Sequence, residues 1–92
     1  MYSLFFTEEF KKNFEAIKDK ETQRRILKKV LSLKENPSQG RMLVGVEDEE
    51  FGRLFRLRVG KYRVIYALCR ERNEIYLITL GHRERVYRQL GR

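Results

Sequence analysis

The spacing of hydrophobic positions changes partway along the chain. Tyr2 to Phe6 is a short aromatic run without breakers and predicts a first strand. Thr7 follows as an N-cap, with Glu8 and Glu9 in the first turn, where the helix dipole favours acids. Phe10, Phe14 and Ile17 recur at i, i+4 and i+7, the signature of one apolar helix face. Asp19 to Thr22 is a polar break and a second cap. Ile26, Leu27, Val30, Leu31 and Leu33 then continue a helical stripe, with Arg24, Arg25, Lys28 and Lys29 outside it. Asn36-Pro37 should end this second helix, because a residue before proline disfavours the α region. Two helices with a short break predict a helical hairpin.

Ser38 to Gly52 shows no period. It holds Gly40, Gly45, Gly52 and the run Glu47-Asp48-Glu49-Glu50, and reads as a loop with Met42 to Val44 touching the core. The acidic run is a solvated loop or an acidic edge to a nucleic-acid cleft. From Arg53 the period becomes two. Leu54 to Val59, Tyr62 to Cys69 and Ile75 to Leu80 predict three strands, with Gly60-Lys61 as a two-residue turn and Glu71 to Glu74 as a looser one. The expected fold is α+β: an antiparallel sheet of about four strands, a two-helix hairpin on one face and a short C-terminal element.

A turn at Gly60-Lys61 also fixes register. Val59 would face Tyr62, Arg58 face Arg63, Leu57 face Val64, Arg56 face Ile65 and Phe55 face Tyr66. Alternation then puts Phe55, Leu57, Val59, Tyr62, Val64, Tyr66 and Leu68 on the face the helices cover. Arg56, Arg58 and Arg63 share the other. Directly paired like charges are destabilising, so this face either holds an anion or is an exposed surface whose arginine stems cover Ile65 and Ala67.

The chain has 92 residues, the size of one domain, expected to span 1–92. No apolar run reaches the roughly 18 residues of a membrane span, and no signal-peptide pattern opens the sequence. The only cysteine, Cys69, cannot form an internal disulfide, so the expected compartment is the cytoplasm. Charge is distributed unevenly. Residues 1–52 hold ten Lys and Arg against ten Asp and Glu, whereas residues 53–92 hold eleven against three, so the whole net +8 lies in the second part. Ten of those eleven cations are arginine, whose planar donor fork suits phosphate. A polyanion, nucleic acid first, is the expected partner. A protein partner with an acidic amphipathic helix or extended segment fits the same imbalance.

After the last predicted strand, Gly81-His82-Arg83-Glu84-Arg85-Val86-Tyr87-Arg88 delivers one imidazole, three guanidiniums and one phenol. His82 is the group best suited to exchange protons near neutral pH, or else a surface side chain. One histidine and one cysteine give no strong zinc site, and no glycine-rich phosphate loop precedes a helix. The acids fall mostly on helices or in one loop, which disfavours a two-carboxylate metal nuclease. No metal or cofactor is expected.

The run Gly52-Arg53-Leu54-Phe55-Arg56-Leu57-Arg58-Val59-Gly60-Lys61-Tyr62-Arg63-Val64-Ile65-Tyr66, followed by Gly81-His82-Arg83-Glu84-Arg85-Val86-Tyr87, resembles the RelE/ParE toxin superfamily on the RelE side. Leu43-Val44-Gly45 also fits the segment before the central strands of that group. The resemblance implies the toxin of a type II toxin–antitoxin pair, with helices on one sheet face and an active cleft on the other. Its RelE-like members cut mRNA on the ribosome without a metal, by attack of the 2′-OH on the adjacent phosphorus. Its implied partners are a RelB-like antitoxin, the ribosome and mRNA, with operator DNA bound by the antitoxin–toxin complex. By position, Arg63 corresponds to the arginine that holds the scissile phosphate, Arg83 to the one that supports the leaving oxygen, and Tyr87 to the tyrosine that orients the 2′-OH. Arg56, Arg58, Lys61, Arg85 and Arg88 would bind RNA. The well-known bacterial form has a lysine where this chain has Leu54, a more distant tyrosine, and no equivalent of His82. His82 is the proton-transfer candidate by chemistry, Arg83 by position. The superfamily also implies two other functions: a ParE-like gyrase inhibitor, or an inactive member that only binds its antitoxin.

Overall fold

A computed structural model describes residues 1–82. Its elements are β1 (Ser3–Phe6), α1 (Glu8–Glu15), α2 (Lys20–Leu31), a 3-10 turn (Ser32–Lys34), β2 (Arg41–Asp48), β3 (Gly52–Val59), β4 (Tyr62–Cys69) and β5 (Glu74–His82). The sheet order is β1-β5-β4-β3-β2. β1 crosses over to lie parallel to β5, with Leu4 opposite Ile75, and every other neighbouring pair is antiparallel. No described helix is long and apolar enough to cross a membrane.

The helix starts follow the capping chemistry of the sequence. Thr7 is extended, and its Oγ1 accepts from the Phe10 amide at 3.2 Å. The same hydroxyl lies 2.8 Å from the carbonyls of both Leu77 and Ile78. The Asn13 amide donates to Thr79 Oγ1 and to the Leu80 carbonyl. Cap and helix are thereby pinned to β5, beside the irregularity in its pairing with β4 at Ile65/Tyr66. Asp19 caps α2. The Thr22 hydroxyl and the Glu21 amide donate to its carboxylate and hold its pKa below the ordinary value.

The hairpin register is as the sequence predicts, from Val59 opposite Tyr62 through Arg58 opposite Arg63 to Phe55 opposite Tyr66. Gly60 has φ 59°, the left-handed conformation its turn position needs. The helices cover the expected face. Phe10, Ile26, Val30 and Leu33 pack there against Leu57, Val64, Tyr66, Ile75, Leu77 and Leu80. Leu27 and Leu31, expected within the buried stripe, are 40% and 44% exposed, because the core-facing line of α2 runs through Ile26 and Val30. Regular α-helix ends at Leu31, and the 3-10 turn carries Leu33 into the core before Pro37.

The sheet has five strands rather than about four. The stretch expected to be a loop contains β2, whose pairing with β3 slips between Met42 and Glu47. That slip, with Gly45 at φ 78°, hides the period of two. Of Met42 to Val44, only Leu43 joins a core. Val44 is 90% exposed and Met42 40%. With Val46, Phe51, Tyr76 and Ile78, Leu43 covers Leu54, Ile65 and Ala67, a second small cluster on the sheet face away from the helices. Ile65 and Ala67 are thus buried by hydrophobic side chains of β2, β5 and the β2–β3 turn. The expected C-terminal element lies outside the described residues.

Candidate functional site

Strand alternation places Arg56, Arg58 and Arg63 on the face opposite the helices, at the end of the sheet nearest the Gly60-Lys61 turn. Arg58 and Arg63 are directly opposed. Arg41 on β2 is directly opposed to Arg56 and joins the same face. Arg41 was not a sequence candidate, because its segment read as a loop. Only its pairing with β3 reveals it. Lys61 lies exposed on the turn.

Arg63 is the fixed member of the group, only 6% exposed. Its Nη1 donates to the carbonyls of Gly60 at 3.3 Å and Tyr62 at 3.2 Å, which ties the side chain to its own hairpin. Its Nε is buried and has no hydrogen-bond partner among the described residues. A buried guanidinium donor left unmatched is costly, and an anionic oxygen is the acceptor that would satisfy it best.

The acidic run occupies the opposite end of β3. Arg53, 3.9 Å from Glu47, is the second residue of the strand, and Arg58 lies five residues on, about 17 Å away at the usual strand rise. Asp48 Oδ1 accepts from the amides of Glu50 and Phe51 and so folds the turn back. Phe51 thereby reaches Tyr76 at a centroid separation of 5.0 Å, and Tyr76 stacks on Phe5 at 5.2 Å. One end of this face is therefore basic and the other aromatic with an acidic rim.

Tyr76 also closes a polar contact at the aromatic end. Its hydroxyl donates to Glu74 Oε1 at 2.5 Å, and Arg72 Nε pairs with the same oxygen at 3.1 Å. Donation by Tyr76 first, then Arg72, holds the Glu74 carboxyl below its ordinary value of 4.5. A lowered folded-state pKa adds stability above the unfolded value and loses it as pH falls through the folded one. Tyr76→Phe should therefore be less stable than wild type near pH 6, with the gap closing well below pH 4.5. Urea unfolding at several pH values checks this. An unchanged gap at low pH would show that the hydroxyl does not favour the charged carboxylate.

His82 pairs with Tyr62 across β4 and β5, and the two rings lie 4.6 Å apart. Tyr62 packs with the helix-side core, whereas Arg63, the next residue, points to the other face. The imidazole and the Arg63 guanidinium thus lie on opposite faces of the sheet. Arg83, Arg85, Tyr87 and Arg88 lie outside the described residues. No three His, Cys, Asp or Glu side chains come together among the described residues in a way that could hold a metal ion.

The family model described as the ParE toxin of type II toxin–antitoxin system, parDE, matches residues 4–87. Among solved structures, the chain is similar to the archaeal RelE–RelB complex from Pyrococcus horikoshii OT3, with 26% identity over 91% of this chain and 97% of that one (TM-score 0.73). The RelBE2 toxin–antitoxin complex from Mycobacterium tuberculosis matches at 20% identity over 89% and 98% (TM-score 0.73). The intact RelBE complex from E. coli matches at 23% identity over 89% and 96% (TM-score 0.71). No curated protein matches.

Proposed function

The chain belongs to the ParE toxin family of type II toxin–antitoxin systems, and we propose that within it this toxin is a ribosome-dependent mRNA endoribonuclease. The observation that carries this reading is Arg63: a guanidinium tied to its hairpin, with a buried Nε that has no partner among the described residues, on the sheet face it shares with Arg41, Arg56 and Arg58. A phosphate-cleaving site needs such a cluster, and a toxin that only grips another protein does not.

In the proposed reaction the substrate's 2′-oxygen attacks the adjacent phosphorus and the bond to the 5′-oxygen breaks. The 2′-OH loses a proton and the leaving oxygen gains one, giving a 2′,3′-cyclic phosphate and a 5′-hydroxyl. Arg63 binds the non-bridging oxygens, where charge builds in the transition state. Arg41, Arg56, Arg58 and Lys61 hold neighbouring phosphates. Arg83 and Tyr87 serve the leaving oxygen and the 2′-OH, and Arg85 and Arg88 bind RNA. A guanidinium stays protonated throughout the physiological range, so Arg83 is a source of charge more than of protons. With one histidine and one cysteine in the chain, guanidinium groups rather than a protein-bound metal carry the charge stabilisation.

The partner that silences the toxin is a RelB-like antitoxin with an acidic amphipathic segment, and the pair binds operator DNA. The similarity to an archaeal toxin crystallised with RelB supports the RelB-like partner. Complementary charge speeds such an association. Primer extension on mRNA, with and without ribosomes, beside a gyrase supercoiling assay, tests the function. Ribosome-dependent cuts are expected. Gyrase inhibition without cuts would replace the reading by a gyrase inhibitor, and neither activity by a member that only binds its antitoxin.

A further inference from the structure

α2 presents two different surfaces. Leu27 lines an apolar groove with Phe6, Phe10 and Phe14 of β1 and α1. Around the helix, Arg25, Lys28, Lys29 and Ser32 face the β3–β4 hairpin and enclose with Arg58 and Gly60 a cleft of about 460 Å³. Arg25 reaches the turn itself, since a Cβ on Gly60 would lie 3.8 Å from its Nη2.

Four cations and, among the described residues, no acid line this cleft. None of the four joins an ion pair within 4 Å among the described residues, whereas Lys11, Arg24, Arg53 and Arg72 each pair with a carboxylate elsewhere. Arg25, Lys28 and Lys29 are neighbours at i, i+3 and i+4, a like-charge arrangement that weakens a helix. Arg58 belongs to both surfaces: it opposes Arg63 across the hairpin and lines the cleft. Arg58 therefore links the basic end of the sheet to the cleft beside α2.

We propose that this cleft is a second RNA subsite, in which Arg25, Lys28 and Lys29 bind backbone phosphates of the substrate strand beyond the cleaved position, after it has passed Arg58. The link through Arg58 assigns the occupant to the same strand as the one at Arg63. The separation of the apolar groove from the basic cleft on α2 leaves a helical protein partner its own surface. The inference rests on the nuclease reading for the identity of the strand, but its test needs no cleavage.

The experiment measures binding of full-length protein to 2′-O-methyl oligouridylates, which cannot be cut by 2′-OH attack, of about 4 and about 16 nucleotides, across a salt series. The proteins are wild type, the triple variant Arg25→Gln/Lys28→Gln/Lys29→Gln, and the charge-keeping Arg25→Lys/Lys28→Arg/Lys29→Arg, each checked for folding by circular dichroism. The long oligomer should bind wild type at least about tenfold tighter than the triple Gln variant, with a salt slope steeper by about two, since each single-strand phosphate contact adds roughly 0.7. The short oligomer should distinguish them little, and the charge-keeping variant should behave as wild type. Equal binding of the long oligomer to wild type and the triple Gln variant overturns the proposal. So does a loss confined to ribosomal subunits, or one confined to the cognate antitoxin, because each assigns the cleft to another occupant. Absence of cleavage by wild type would instead count against the nuclease reading and leave the binding result standing.

Discussion

Arg63→Ala should lower the single-turnover rate of mRNA cleavage on programmed ribosomes by about 10²–10³, with ribosome affinity changed far less. Loss of one donor to a developing oxyanion costs about 3–4 kcal/mol. Arg63 meets the conditions for an effect of that size. It is nearly buried, and its Nη1 is tied to the carbonyls of Gly60 and Tyr62. Little of its bond to a phosphate is therefore offset by ordering a long side chain. Arg63→Lys keeps the charge and loses the planar fork, so it should recover only part of the rate. His82→Ala is the contrasting variant. Its ring rests on Tyr62, on the helix side of the sheet. It should therefore change the rate less than tenfold, as expected for a residue outside the reacting groups, and leave the pH profile between about 5.5 and 8.5 unchanged. A flattened profile in His82→Ala would place the imidazole in the proton path. Full activity in Arg63→Ala would remove the nuclease assignment from this face.

The parts of this protein legible in its sequence are those set by local rules. A two-residue turn headed by glycine, followed by strict alternation, fixed the β3–β4 register, and with it the face shared by Arg56, Arg58 and Arg63. Thr7 and Asp19 announced the two helix starts. What stayed hidden depends on contacts between distant segments. β2 is an edge strand with slipped pairing, whose Val44 points into solvent, so neither apolar alternation nor a turn signal marks it. Missing β2 meant missing Arg41. His82 lies close in sequence to the C-terminal arginines, which suggested common work with Arg63. Strand alternation at β5 instead turns its ring towards Tyr62. Lys28 and Lys29 read as the solvated side of a helix, and only the approach of α2 to the hairpin gives them a cleft to line.

Tyr66→Ala should destabilise the fold by about 3–5 kcal/mol in urea unfolding, and Tyr66→Phe by about 1–3 kcal/mol. Tyr66 is fully buried at the centre of β4 and stacks on Phe55 at 5.4 Å. Its hydroxyl donates to the Pro37 carbonyl at 2.8 Å and accepts from the Gly40 amide at 3.0 Å. Burial raises the phenol pKa, so the group stays a donor at neutral pH. Alanine loses the stack, the packing and both bonds, whereas phenylalanine keeps the stack and leaves two backbone groups unmatched. The same hydroxyl explains why residue 40 is glycine. A Cβ there would sit 2.6 Å from Tyr66 Oη and 2.8 Å from the backbone oxygen of Arg56, and that backbone cannot swing aside as a side chain would. Gly40→Ala should therefore lose about 1–3 kcal/mol through overpacking. Because Gly40 leads directly into Arg41, both Tyr66→Phe and Gly40→Ala should also loosen the start of β2 and weaken RNA binding at the basic end of the sheet. A Tyr66→Phe protein as stable as wild type would show that the packing of β2 on Leu54 and Ile65, not this hydroxyl, holds Arg41 in place.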